Sequence, residues 1–208
     1  VNPARKRRPG RSITDRAFDQ LIPSELRHLS ARHWTPVDVA IRATSLLCPT
    51  QGARILDVGS GAGKLCAVGA LSSSATWCGI EQHESLVDTA RRLARALGVG
   101  QRTMFVQGDV FSIDWRDFDA LYLYNPFELP VFQSDPAQHE LQYSVQIARV
   151  QDRLASLPAG VRVVTYHGFG GVIPSSFELV YQERVPSVGL DLVLWMQGAR
   201  PRREPGWS

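Results

Sequence analysis

Apolar residues recur along this chain in two rhythms, and the rhythms alternate. RILDV (54–58), ATWCGI (75–80), TMFVQ (103–107), DALYLY (119–124) and VRVVTYH (161–167) are short and almost continuously apolar, as strands covered on both faces of a sheet are. Helical stretches separate them. One opens over 62–71. ESLVDTARRLARAL (84–97) carries Leu86, Val87, Ala90, Leu93, Ala94 and Leu97 at spacings of three and four, and Gly98 stops it. A long helix is predicted over 137–157, ending before Pro158. The rhythm then changes. FELVYQERV (177–185) and LDLVLWMQ (190–197) follow with no helix and only a short turn between them, which predicts an antiparallel hairpin at the sheet edge.

Upstream of 53 the pattern is helical. DRAFDQLI and SELRHLSARH are interrupted at Pro23, with Ser24 as a candidate N-cap. Thr35 is a candidate cap for a helix opening at Pro36, a residue suited to the first helical position, and Pro49 to Gly52 ends that helix. The expected fold is α/β: a doubly wound, seven-stranded, mostly parallel sheet whose last strand is antiparallel, with a helical N-terminal extension. The expected divisions are a basic tail (1–12), a helical lid segment (13–52), one α/β domain (53–199) and a second basic tail (200–208).

Composition narrows the class. At 208 residues, 44% hydrophobic and 21% charged, the chain reads as an ordinary globular protein of one domain. It has no apolar run of the roughly 18–20 residues a membrane span needs. Cys48, Cys66 and Cys78 lack metal-like spacing and are expected to be free thiols in a cytoplasmic protein, the latter two in the core. Charge is unevenly spread. Residues 1–11 carry +5 and residues 200–208 carry +2, so the net +3 leaves −4 for residues 12–199. The folded body is mildly acidic, and the basic ends are either solubilising tails or weak arms for a nucleic acid or an acidic partner.

The candidate chemistry begins at LDVGSGAGK (56–64). A glycine-rich turn after the first strand of such a sheet lies where ligands bind. Gly59 and Gly61 are followed by Lys64 where a dinucleotide fingerprint needs its third glycine, and the spacing is not that of a P-loop. Asp57, just before the turn, suits a ligand bearing positive charge. Glu81, at the end of the second strand, is placed to accept hydrogen bonds from two ribose hydroxyls. Asp109, after the third strand, can accept from an exocyclic amine while the Val110 amide donates to a ring nitrogen. A cationic head, a ribose and an amine-bearing base together describe S-adenosylmethionine. Each acid also has a structural reading: Asp57 as acceptor of loop amides, Glu81 as a helix N-terminal acid, and Asp109 as a turn former.

With these residues in place, the chain resembles the class I, Rossmann-like S-adenosylmethionine-dependent methyltransferases over roughly residues 36–197. RILDVGSGAGKL is similar to their first motif, GIEQHESLVDTA to the second, VQGDVF to the adenine motif, and LYLYNPFE falls at their fourth. The resemblance implies S-adenosyl-L-methionine as cofactor, held by Asp57, Gly59, Ser60, Gly61, Gly63, Glu81, Gln82, Asp109, Val110 and Asn125. It also places Tyr124, Asn125 and Phe127 at the mouth of the site as catalytic candidates. Asn125-Pro126-Phe127 resembles the N-P-P-Y/F motif of enzymes that methylate planar nitrogens, with one proline fewer. Trp34, Thr35 and Pro36 are candidates to fold over the cofactor, Tyr166 and His167 to face the acceptor. His83 either packs near the adenine or starts a helix, and His139 is expected in solvent. Trp115 and Phe118 are expected in the core.

The implied partner is a methyl acceptor: an amine or other nucleophile of a protein or small molecule, or alternatively an RNA or DNA base. A non-catalytic cofactor-binding module and a nicotinamide oxidoreductase are the contrasting classes. No membrane partner is expected, and the sequence does not set the oligomeric state.

Overall fold

A computed structural model describes residues 14–48, 50–126, 136–186 and 189–198, apart from the side chains at 31, 32 and 136–141. Both basic tails, Phe127, Glu128 and the side chain of His139 lie outside the described residues. The strands are β1 (Arg54–Val58), β2 (Thr76–Glu81), β3 (Thr103–Gln107), β4 (Ala120–Leu123), β5 (Arg162–Tyr166), β6 (Phe177–Val185) and β7 (Leu190–Gln197). The helices are α1 (Asp15–Asp19), α2 (Arg27–His33), α3 (Val37–Leu47), α4 (Lys64–Ser72), α5 (Glu84–Ala96) and α6 (Pro136–Ala155).

The strands form one seven-stranded sheet in the order β3-β2-β1-β4-β5-β7-β6. The first five pair in parallel, and β7 runs antiparallel to both β5 and β6. The expected hairpin is therefore present, with β6 on the outer edge and β7 inserted beside β5. Strand order reverses between β1 and β4, so the ligand crevice of a doubly wound sheet falls at the carboxyl ends of those two strands.

Period-two alternation splits the core between the two faces. Ile55, Trp77, Tyr122, Val164 and Leu194 face a cluster shared with α3, α4 and α5. Leu56, Ile80, Leu121, Val163 and Phe177 face a second cluster with Ile147, Val150 and Leu154 of α6. Trp115 and Phe118 are buried in the second cluster, and Cys66 and Cys78 are buried free thiols. Helix α4 is buried from Lys64 to Ala70, and Gly69 is small because the Trp77 indole lies where a Cβ would stand.

Three local expectations need correction. Ser24 opens a 3-10 turn (Ser24–Leu26) instead of capping α2, because its hydroxyl bonds the adjacent Glu25. Pro36 is the N-cap of α3 rather than its first residue, and it has no capping side chain. Thr35 does not cap α3 either: its hydroxyl pairs with Tyr122 Oη at 2.8 Å, across to β4. The Val37 amide is instead satisfied from a distance, by the Asp15 carboxylate at 3.1 Å.

Candidate active site

The loop after β1 turns back over β2, and the Gly59 and Ser60 amides both donate to the Ile80 carbonyl at 3.0 Å. Gly59, Gly61 and Gly63 all have left-handed φ, of 74°, 53° and 74°. A side chain is excluded twice over at the first two. A Cβ on Gly59 would lie 2.9 Å from Pro126 Cβ, and one on Gly61 would lie 2.9 Å from Trp34 Nε1. The glycine loop is thus braced from outside by Trp34 of the N-terminal segment and by Pro126 after β4. This gives Trp34 a packing role that the sequence left open.

Two carboxylates lie beneath this loop. Glu81 is buried, with Oε2 accepting from the Gly61 amide and Oε1 from the His83 amide, each at 3.0 Å. It pins the loop to the end of β2 and starts α5. Each carboxylate oxygen has two lone-pair sites, so capacity for two hydroxyl donors remains. Asp57 is buried and accepts from Cys66 Sγ at 3.5 Å, but no loop amide reaches it among the described residues. Its structural reading as an acceptor of loop amides is therefore absent. Burial, opposed by the Cys66 hydrogen bond and reinforced by the nearby Glu81 charge, pushes its pKa up to about 7. A buried carboxylate with so little compensation favours a cationic ligand. Ser60 Oγ, in the same loop, is buried without a partner among the described residues.

Asp109 follows β3 and is half-exposed. Its Oδ1 accepts from the Phe111 amide at 2.9 Å, forming the turn, while Oδ2 lies 3.6 Å from Arg149 Nη1 of α6. The Arg149 guanidinium stands 3.9 Å over the Phe111 ring. Val110 is buried, with its carbonyl held by Trp115 Nε1 at 2.9 Å. Gln82 is exposed at the rim, 3.2 Å from the His83 ring.

Beyond β4, Tyr124 packs on Tyr166 with ring centroids 4.8 Å apart. Asn125 adopts φ 36° and its amide donates to the Gly168 carbonyl at 2.9 Å. His167, at the end of the neighbouring strand, adopts φ 59°. Left-handed backbone at two non-glycine residues on adjacent strand ends costs of order 1 kcal/mol or more each, a pattern concentrated at functional sites. The Tyr166 hydroxyl is buried without a partner among the described residues, and burial, with Tyr124 and Asp38 nearby, pushes its pKa up to about 12. It stays a neutral hydroxyl.

One residue the sequence reading did not assign is Lys64. Its ammonium, in the first turn of α4, is 3% exposed, pairs with the Asp15 carboxylate, approaches Ser30 Oγ at 3.4 Å, and lies 5.2 Å over the Phe18 ring. It fastens α1 and α2 to the glycine loop. A lysine inside the otherwise apolar KLCAVGAL was the signal available. Removing one partner of such a pair is costly when the charge left behind is the buried one. Asp15→Ala should therefore lower stability by about 3 kcal/mol, whereas Lys64→Met should cost less than about 1.5 kcal/mol. Urea unfolding of the two variants measures the asymmetry; equal losses would contradict it.

The fold and loop have counterparts among known proteins. Residues 49–146 match the family model described as a methyltransferase domain. An RNA methyltransferase from Salinibacter ruber, crystallised with S-adenosyl-L-homocysteine, superposes with a TM-score of 0.62 at 24% identity, covering 82% of this chain and 97% of that one. TrmN from Thermus thermophilus superposes with a TM-score of 0.63 at 18% identity, covering 88% of this chain and 53% of that one. An E81Q mutant of MtNAS bound to S-adenosylmethionine gives a TM-score of 0.59 at 15% identity, covering 88% of this chain and 72% of that one. At these identities the superpositions establish the fold. No curated protein sequence matches the chain. Glycine loop and sheet order agree with the match of residues 49–146 to a methyltransferase domain, and the chain has the fold of the methyltransferases it superposes on.

Proposed function

We propose that this protein transfers the methyl group of S-adenosylmethionine to an amine or other nucleophile of a small molecule or protein. The observation that carries this reading is Asp57: a buried carboxylate under the glycine loop, with no cation paired to it among the described residues. When bound, the donor supplies an electrophilic methyl group, whose transfer forms a bond to the nucleophile, leaves the carbon–sulfur electron pair on sulfur and releases the acceptor's proton.

The chain's own residues do the rest. Asp57 offers charge to the donor's cationic end. Gly59, Ser60, Gly61 and Gly63 let it lie against the main chain, and Glu81 accepts from its ribose. Asp109 and Val110 recognise the base, with Gln82 beside them at the rim. Asp109 must share or release Arg149 to do so. Tyr124 and Asn125 orient the acceptor, together with Phe127. In-line displacement gains mainly from such positioning in a dry site, and a misplacement of about 1 Å costs roughly 100-fold.

Asn125→Ala should leave S-adenosylhomocysteine affinity within about threefold while turnover falls roughly 100-fold. Calorimetry and single-turnover rates separate these, and a loss confined to cofactor affinity would remove Asn125 from the acceptor side. The RNA methyltransferase among the fold neighbours favours a second reading, an RNA base as acceptor. Tritiated methyl labelling of a cell extract, fractionated into RNA, protein and small molecules, decides between them.

A further inference from the structure

Strand β5 is followed by residues 167–176 and then β6, which runs in the same direction. A parallel crossover of this kind ordinarily carries a helix that covers the sheet. Here it carries none, and β7, inserted between the two strands, keeps its α6-side face uncovered by a helix. Thr165 on β5 stands in register with Val193 on β7, and Val163 with Trp195. Over this face opens a cavity of about 610 Å³. That volume suits a compact organic ligand.

The cavity has an apolar floor and a polar rim. Phe169, Phe177, Val193 and Trp195 line the floor; His167 and Arg184 stand at the rim. The Arg184 guanidinium is largely exposed and only loosely paired, 3.8 Å from Asp191. A competing anion can therefore take it without breaking a buried bond. The cavity also adjoins the proposed reaction site. Gly168 lines it, the Gly168 carbonyl accepts the Asn125 amide at 2.9 Å, and Pro126 next to Asn125 packs on Gly59 of the glycine loop. His167, with its left-handed backbone, sits where cavity and site meet.

We infer that this cavity seats the methyl acceptor, and that the acceptor is a compact aromatic molecule carrying an anionic group. The inference rests on the methyl-transfer reading of the neighbouring site. The aromatic body lies on Phe177, Val193 and Trp195, the anion meets Arg184, and the nucleophile points past Gly168 to Asn125. The transfer balances as above: one nucleophile–carbon bond forms, one carbon–sulfur bond breaks, and a proton leaves the nucleophile for solvent.

The test uses the full chain and 8-anilinonaphthalene-1-sulfonate, a fluorescent bicyclic aromatic with a sulfonate, titrated with and without saturating S-adenosylhomocysteine. The expected result is saturable binding that survives occupation of the cofactor crevice. Val193→Trp fills the cavity from the sheet and Ser175→Trp from the exposed loop, so either should weaken the probe at least tenfold. Arg184→Gln should weaken it severalfold. All three should bind S-adenosylhomocysteine normally, which shows that they fold. In extract labelling, tritium should enter the small-molecule fraction and be lost with either tryptophan variant. Unchanged probe binding in both tryptophan variants would overturn the inference. So would label entering RNA or protein at an undiminished rate in those variants, or dimerisation through this face that Val193→Trp abolishes. Failure of the unmodified chain to bind S-adenosylhomocysteine would instead strike the methyl-transfer reading, while the probe titration without it still decides the cavity.

Discussion

Replacing Asp57 by asparagine should make the unliganded protein more stable at pH 8 and nearly abolish donor binding. The sign follows from proton linkage. The folded pKa, about 7, lies above the ordinary 3.8. Between those values the folded state holds a proton that the unfolded chain has lost. Stability therefore falls as pH rises through that window, and the loss is complete above about pH 7. At about 1.4 kcal/mol per tenfold change in proton affinity, the full penalty is on the order of 4 kcal/mol. Asparagine removes the penalty and with it the charge that favours a cation. In the unmodified protein, donor binding should strengthen as pH rises toward 8 and release a proton near pH 7. Thermal unfolding from pH 5 to 8, with calorimetry in buffers of different ionisation enthalpy, tests both halves. A variant less stable at pH 8, or binding without proton release, would refute the role given to Asp57.

Glu81→Ala should have the second large effect, and it should act on two properties at once. Hydrogen bonds to a charged acceptor are worth about 1.5–3 kcal/mol each, so losing the two proposed ribose contacts should weaken donor affinity by roughly 100-fold or more. The substitution also strips the Gly61 and His83 amides of their partners. Each buried orphan costs about 1–3 kcal/mol, so thermal stability should fall as well. Glu81→Gln retains one acceptor oxygen and should recover part of the stability while affinity stays low. If alanine lowered stability and left S-adenosylhomocysteine binding intact, Glu81 would be a loop anchor and no more.

The sheet was legible because its signals are local. Strand β3 (Thr103–Gln107) and the last two strands keep the bounds their apolar runs announce, and the missing helix before FELVYQERV announced the hairpin. The glycine loop was legible because left-handed backbone at Gly59 and Gly61 leaves a compositional mark. What the sequence hid was distant pairing. Thr35 looked like a cap because capping is a local rule, but its hydroxyl bonds Tyr122, 87 residues away. Asp15 serves the start of α3 and the buried Lys64 together, and nothing near Asp15 in the chain announces either. Arg149 beside Asp109 was hidden for the same reason.

The Asp15–Lys64 clasp spans 49 residues, and this sets an order of events as the polypeptide leaves the ribosome. Helix α1 emerges before its anchoring cation, 49 residues on, and before the sheet beneath it. Until then Phe18 and Ile22, both fully covered in the finished protein, stand bare in the nascent chain. The half of the clasp made first is thus among the last to settle, which makes it a natural target for a chaperone at the tunnel exit.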